Sequence, residues 1–122
     1  KTKLTFLLSL TFLFLFSSVV FGDDYQDGVD AYKRKDYKTA YKLWLPLAEQ
    51  GNAKAQYNLG VMYAKGRGFP QDYILAHMWL NLSGANGYKR GIKLRNLAEK
   101  KMTASQIEKA QELARNWKPT SK

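Results

Sequence analysis

The 122-residue chain reads as an all-α array of helix pairs, on three observations. The stretch "DYKTAYKLWLPLAEQGNAKA" from Asp36 is echoed 36 residues later by "DYILAHMWLNLSGANGYKRG" from Asp72. Asp36 and Asp72, Tyr37 and Tyr73, Ala40 and Ala76, and Gly51 and Gly87 keep that offset, and a period of this size marks stacked helix hairpins. Beyond residue 22, apolar residues recur at helical spacing and nowhere alternate as in a half-buried strand. Cysteine is absent, so packing rather than disulfides must hold the array together.

The first segment, residues 1–22, is expected to be a cleaved export signal. Lys1 and Lys3 give a positive start, Leu4 to Phe16 an unbroken apolar core, and Val20 and Gly22 small residues ahead of a cleavage point. An uncleaved membrane anchor is the weaker reading, because the apolar core stops at Ser17-Ser18 and no basic stop-transfer cluster follows. Residues 23–122 then form one domain, which divides into units 23–51, 52–87 and 88–122.

The first unit opens with "DYQDGVDAYKRK", and the clustered acids Asp23, Asp24, Asp27 and Asp30 suit the positive end of a helix dipole. A tight turn at Lys35-Asp36 leads to a helix capped by Asp36 and stopped by Gly51. Its apolar stripe is Ala40, Leu43, Trp44, Leu47 and Ala48, and Pro46 removes one donor near its end, where a kink is expected. In the second unit, Ala55, Leu59, Met62 and Tyr63 form one stripe, and Gly28-Val29 align with Gly60-Val61. The loop "GRGFPQ" follows, with glycines free to take positive φ, before Asp72 caps a helix striped by Leu75, Ala76, Trp79, Leu80 and Leu82. The third unit departs from the pattern. "YKRGIKLRNLAEKK" is helical in period but weakly apolar, whereas Thr103 and Gln106 make a capping box with Met102 and Ile107 as its staple. The last helix should bury Ile107, Ala110, Ala114 and Trp117, and an irregular final pair suits the end of an array.

The pattern A-x-x-N-L-G-x-x-Y-x-x-G-x-G-x-x-Q-D-x-x-x-A-x-x-W, from Ala55 to Trp79, closely resembles the Sel-one-like repeat family of the tetratricopeptide-like superfamily. Tyr25 to Gly51 resembles a shorter, tetratricopeptide-type unit. The resemblance implies a short right-handed α/α superhelix, a solenoid of two to three antiparallel helix pairs, acting as an adaptor in protein–protein contacts. The chain departs from cysteine-rich secreted relatives, which cross-link each pair, and has fewer repeats than many, so its groove should be short.

Candidates for chemistry are few. His77 is the single histidine and falls beside a buried stripe, where a structural, hydrogen-bonded role outweighs a general base. None of Ser83, Ser105 and Ser121 begins an S-x-x-K pattern, and "GRGFPQD" lacks the G-K-[ST] ending of a phosphate cradle. No catalytic residue, metal or cofactor is therefore expected. A cell-wall hydrolase, with Glu49 or Glu99 as the acid, is the remote alternative.

Binding is the better search. The resemblance places the first helix of each pair on the concave side, which nominates Tyr25, Val29 and Lys33 in the first pair, and Lys54, Tyr57, Val61 and Lys65 in the second. These residues, spaced by three or four, would offer aromatic area and positive charge to a protein or peptide partner. The formal net charge of +10 falls to +8 without Lys1 and Lys3, so an anionic envelope polymer or lipid is the second candidate partner. Nucleic acid is not expected. A basic run of Lys89, Arg90, Lys93, Arg95, Lys100 and Lys101 spreads around its helix and reads as a solvated face. A bacterial periplasm, or secretion, is the expected location.

Overall fold

A computed structural model of the protein describes residues 24–120. Among the described residues there are six helices and no strand, namely α1 (Asp24–Lys33), α2 (Tyr37–Glu49), α3 (Ala53–Lys65), α4 (Tyr73–Ala85), α5 (Lys89–Glu99) and α6 (Ala104–Asn116). The expected export signal, and the membrane anchor weighed against it, lie outside these residues. No described helix is long and apolar enough to cross a membrane.

The helix starts follow local side-chain chemistry. Asp36, Asn52, Asp72 and Thr103 each accept a hydrogen bond from the backbone N–H three residues on, which satisfies one orphan donor at the head of α2, α3, α4 and α6. Thr103 and Gln106 form the reciprocal capping box. Helix α2 runs through Pro46 to Glu49, so the lost donor does not end it. The first four of the five turns share one device. At Lys35, Gly51, Gly66 and Gly87 a residue with positive φ closes two backbone bonds onto the preceding helix, as when Asp36 N–H reaches Ala31 O and Lys35 N–H reaches Tyr32 O. Three of these residues are glycines; Lys35 holds φ 64° with a side chain.

Each hairpin closes over a glycine. A Cβ on Gly28 would stand 2.3 Å from Trp44 Nε1, and one on Gly60 would stand 2.6 Å from Leu80 Cγ. The aligned glycines therefore let α1 lie on α2 and α3 on α4, each against a large side chain at the same repeat position. Helix α3 also packs on α2, which joins the hairpins. The loop after α3 strengthens the joint. Phe69 stacks on Tyr63 at 4.1 Å and meets Tyr41 edge-on at 5.1 Å, while the Arg67 guanidinium lies over Tyr32 and Tyr37. Beneath, the fully buried Gln56 donates to Ala48 O and accepts from Asn86 Nδ2, tying the ends of α2 and α4 to α3.

The third unit is not a third hairpin. Helices α5 and α6 both pack on α4 rather than pairing with each other. Trp117 meets Trp79 of α4 at 6.5 Å, and Thr120 N–H donates to Glu49 O, so the tail reaches back to the end of α2. The solenoid thus comprises two hairpins closed by two helices that share α4 as their support.

Candidate binding cleft

Helix α2 carries α1 on one side and α3 on the other, and a cleft of about 420 Å³ opens between those two helices. Tyr25, Val29 and Lys33 project from α1 at a spacing of four, which is one helical face. Tyr57 and Val61 project likewise from α3, with Asn58 beside them, and Tyr32 and Trp44 complete the lining. Tyr25 is held at both ends. Its backbone carbonyl accepts from Trp44 Nε1 at 3.1 Å, and its hydroxyl accepts from Asn58 Nδ2 at 3.2 Å. The cleft walls are thereby fixed to each other and to the core before anything binds.

Five of the seven residues nominated from the sequence line this cleft. Lys54 and Lys65 do not; they are exposed at the two ends of α3, one at its first turn and one at its last residue, where the cleft has run out.

A second cleft, about 230 Å³, adjoins the first at Tyr57 and is lined otherwise by Arg90, Lys93, Leu94 and Leu97 of α5. A third, about 190 Å³, continues past Leu94 and Leu97 to Lys101 and Tyr73. Part of the basic run therefore belongs to the same side of the molecule as Tyr57. The missed signal was the repeat offset itself, since 36 residues beyond Tyr57 and Val61 stand Lys93 and Leu97. Among the described residues, no carboxylate lines any of the three clefts, and none of Lys33, Arg90, Lys93 and Lys101 is held in an ion pair.

His77 sits elsewhere. It is 1% exposed, lines none of these clefts, and places Nε2 2.8 Å from Glu99 Oε1, bridging α4 to α5. With the hydrogen on Nε2, the buried Nδ1 is an acceptor that no donor meets among the described residues. Burial, reinforced by a hydrogen bond to Tyr41, pushes the Tyr63 hydroxyl well above the ordinary tyrosine value, so it stays protonated. None of these three clefts sets a nucleophile beside a histidine or carboxylate base, and among the described residues no cluster of histidine and acidic side chains could hold a metal ion. The arrangement is suited to holding an apolar group against aromatic walls beside free cations.

The Sel1 repeat model matches residues 22–52 and 53–88. The first span, expected as a shorter tetratricopeptide-type unit, thus matches the same repeat as the second. Among solved structures, the chain is similar to a protective antigen present in uropathogenic Escherichia coli strains and displaying an SLR fold. The two are 30% identical with a TM-score of 0.70, over 77% of this chain and 21% of the antigen. The chain therefore spans about a fifth of that protein's length. No curated protein matches it.

Proposed function

Because the chain belongs to the Sel1 repeat family, whose members generally serve as non-catalytic scaffolds for protein–protein contact, we propose that it is an exported adaptor gripping a protein or peptide through its concave side. The observation that carries this reading is the convergence of Tyr25, Val29 and Lys33 from one repeat with Tyr57 and Val61 from the next on a single cleft. Trp44 and Asn58 hold the tyrosine wall in place, so little ordering entropy is lost when a partner docks. Tyrosine supplies rigid amphipathic area of the kind that anchors interfaces. Export to a bacterial periplasm or beyond is supported by Lys1 and Lys3 ahead of the largely apolar run from Leu4 to Phe16.

A photoreactive residue placed at Val61 in cells tests the cleft against the outer side, where Glu112 of α6 is exposed. Adducts with one protein at Val61 and none at Glu112 are expected. Equal labelling at both positions, or none at Val61, overturns the reading. Export is checked separately by cell fractionation and by the mass of the purified chain, which should start at or near Asp23.

A further inference from the structure

The two clefts that meet at Tyr57 share a charge pattern as well as apolar walls. Lys33 stands at the open end of the first, and Arg90 and Lys93 stand on the α5 side of the second. All three are exposed, and no carboxylate is near them in either lining among the described residues. Folding does not account for the α5 pair. That helix opens with Lys89 and Arg90 and carries no acid in its first turn, an order that its own dipole opposes. Arg90 faces the positive end of that dipole and reaches only the Tyr88 hydroxyl at 3.5 Å, and among the described residues neither Arg90 nor Lys93 has an ion-pair partner, so the pair attracts an incoming anion.

The apolar half of the pattern decides which anion. The first cleft has a volume in the roughly 300–1,000 Å³ range of ligand-binding clefts. Its walls are Val29, Val61 and aromatic rings, and Leu94 and Leu97 extend the same surface beyond Tyr57, with Leu97 55% exposed. A phosphate polymer has no apolar group for that surface, and a sugar ring, which can stack its C–H face on an aromatic ring, has no side chain for Val29, Val61, Leu94 and Leu97. The chain's own apolar stretch from Leu4 to Phe16 is flanked by Lys1 and Lys3 and contains no carboxylate, so it does not complement the charge.

We propose that the partner is an acidic, apolar peptide segment that lies extended across α1, α3 and α5. It seats one bulky side chain on each side of Tyr57 and presents carboxylates to Lys33 and to the Arg90–Lys93 pair. This inference rests on the adaptor reading and adds the partner's chemistry to it.

Fluorescence anisotropy with the full chain tests it, using labelled peptides of equal length. One alternates leucine and aspartate, one leucine and lysine, and one serine and aspartate; phosphatidylglycerol vesicles are the lipid probe. The leucine–aspartate peptide should bind at least about tenfold more tightly than either other peptide. Combining Lys33→Glu with Lys93→Glu should erase that preference. The same charge change made by Lys38→Glu with Lys42→Glu, exposed on α2 outside the clefts, should leave it within about twofold. Circular dichroism confirms that the variants keep their helices. Equal binding of both leucine peptides overturns the acidic partner and leaves the adaptor reading, judged by labelling at Val61, untouched. Equal weakening by the α2 pair also overturns it, since overall charge would then explain the affinity. Vesicle binding that Lys33→Glu with Lys93→Glu abolishes, without peptide binding, overturns it in favour of a lipid surface.

Discussion

Helices α2 and α4 start with the same Asp-Tyr pair and share an alanine one turn in, yet they sit in different surroundings. Helix α2 buries Ala40, Trp44 and Ala48 and leaves the rest of its surface partly or fully exposed. Helix α4 buries every residue from Ala76 to Leu80, then Leu82 and Ser83. The positions between the repeat signals make the difference. Where α2 has Lys42, Leu43 and Pro46, α4 has Met78, Trp79 and Leu82 at the same offset. A helix apolar on all sides has to be enclosed, and α4 is enclosed by α3, α5 and α6. The repeat signature thus decides which helices pair, while the intervening residues decide how many further neighbours each pair must accept. The cleft spans the two hairpins, opening between α1 and α3 over α2, which is less enclosed than α4.

The largest expected effect follows from that contrast. Trp79→Ala should destabilise the fold by about 3–5 kcal/mol, because it empties a site 7% exposed beneath α6. Leu43→Ala, at the matching position of the half-exposed face, should cost about 1 kcal/mol. Denaturant titration of the two variants measures the ratio, and equal losses would erase the distinction between hub and edge.

What the sequence showed and what it hid divide along the same line. Caps, hairpins and turns were readable because their causes are local, as with Asp36 bonding Thr39 N–H or Thr103 pairing with Gln106. Tyr25, Val29, Tyr57 and Val61 were readable as one side of the molecule because a spacing of four residues is a face of a helix wherever it occurs. The stripe of α2 marks Trp44 as core alone, yet at 2% exposure it also forms part of the cleft lining. The place of α5 was hidden by its composition, since a helix with Lys89, Arg90, Lys93 and Arg95 looks solvated until its neighbour is known. The failure of α5 and α6 to pair follows from the all-round apolar surface of α4, a tertiary demand written into a third element.

A middle-sized effect concerns the join between α4 and α5. Tyr41 in the first repeat corresponds to His77 in the second, and only the latter meets a carboxylate. Glu99→Ala leaves the buried Nε2 without an acceptor and should cost about 1–3 kcal/mol. Lys109→Ala, which breaks the exposed pair with Glu112, should cost at most about 1 kcal/mol. Thermal melts of the two variants compare them directly. Similar losses would mean that the His77–Glu99 contact behaves as a surface pair despite the burial of the ring.

The smallest effect separates the first hairpin from the later turns by sign rather than size. The first four of the five turns use a residue with positive φ, but Lys35 does so with a Cβ, a conformation that costs a non-glycine residue about 1–2 kcal/mol. Lys35→Gly removes that strain and gives back about 0.5–1 kcal/mol through the greater freedom of glycine in the unfolded chain, so a net gain of about 0.5 kcal/mol is expected. At Gly87, φ 102° with open space around a built Cβ, alanine meets no neighbour and suffers the backbone strain alone, for a loss of about 1 kcal/mol. For a domain of this size, such changes move the melting temperature by a few degrees, upward for Lys35→Gly and downward for Gly87→Ala, which differential scanning calorimetry resolves. A downward shift for Lys35→Gly would show that the lysine contributes more to the turn through its side chain than its backbone conformation costs. The first hairpin would then be held by a contact that the glycine turns do without.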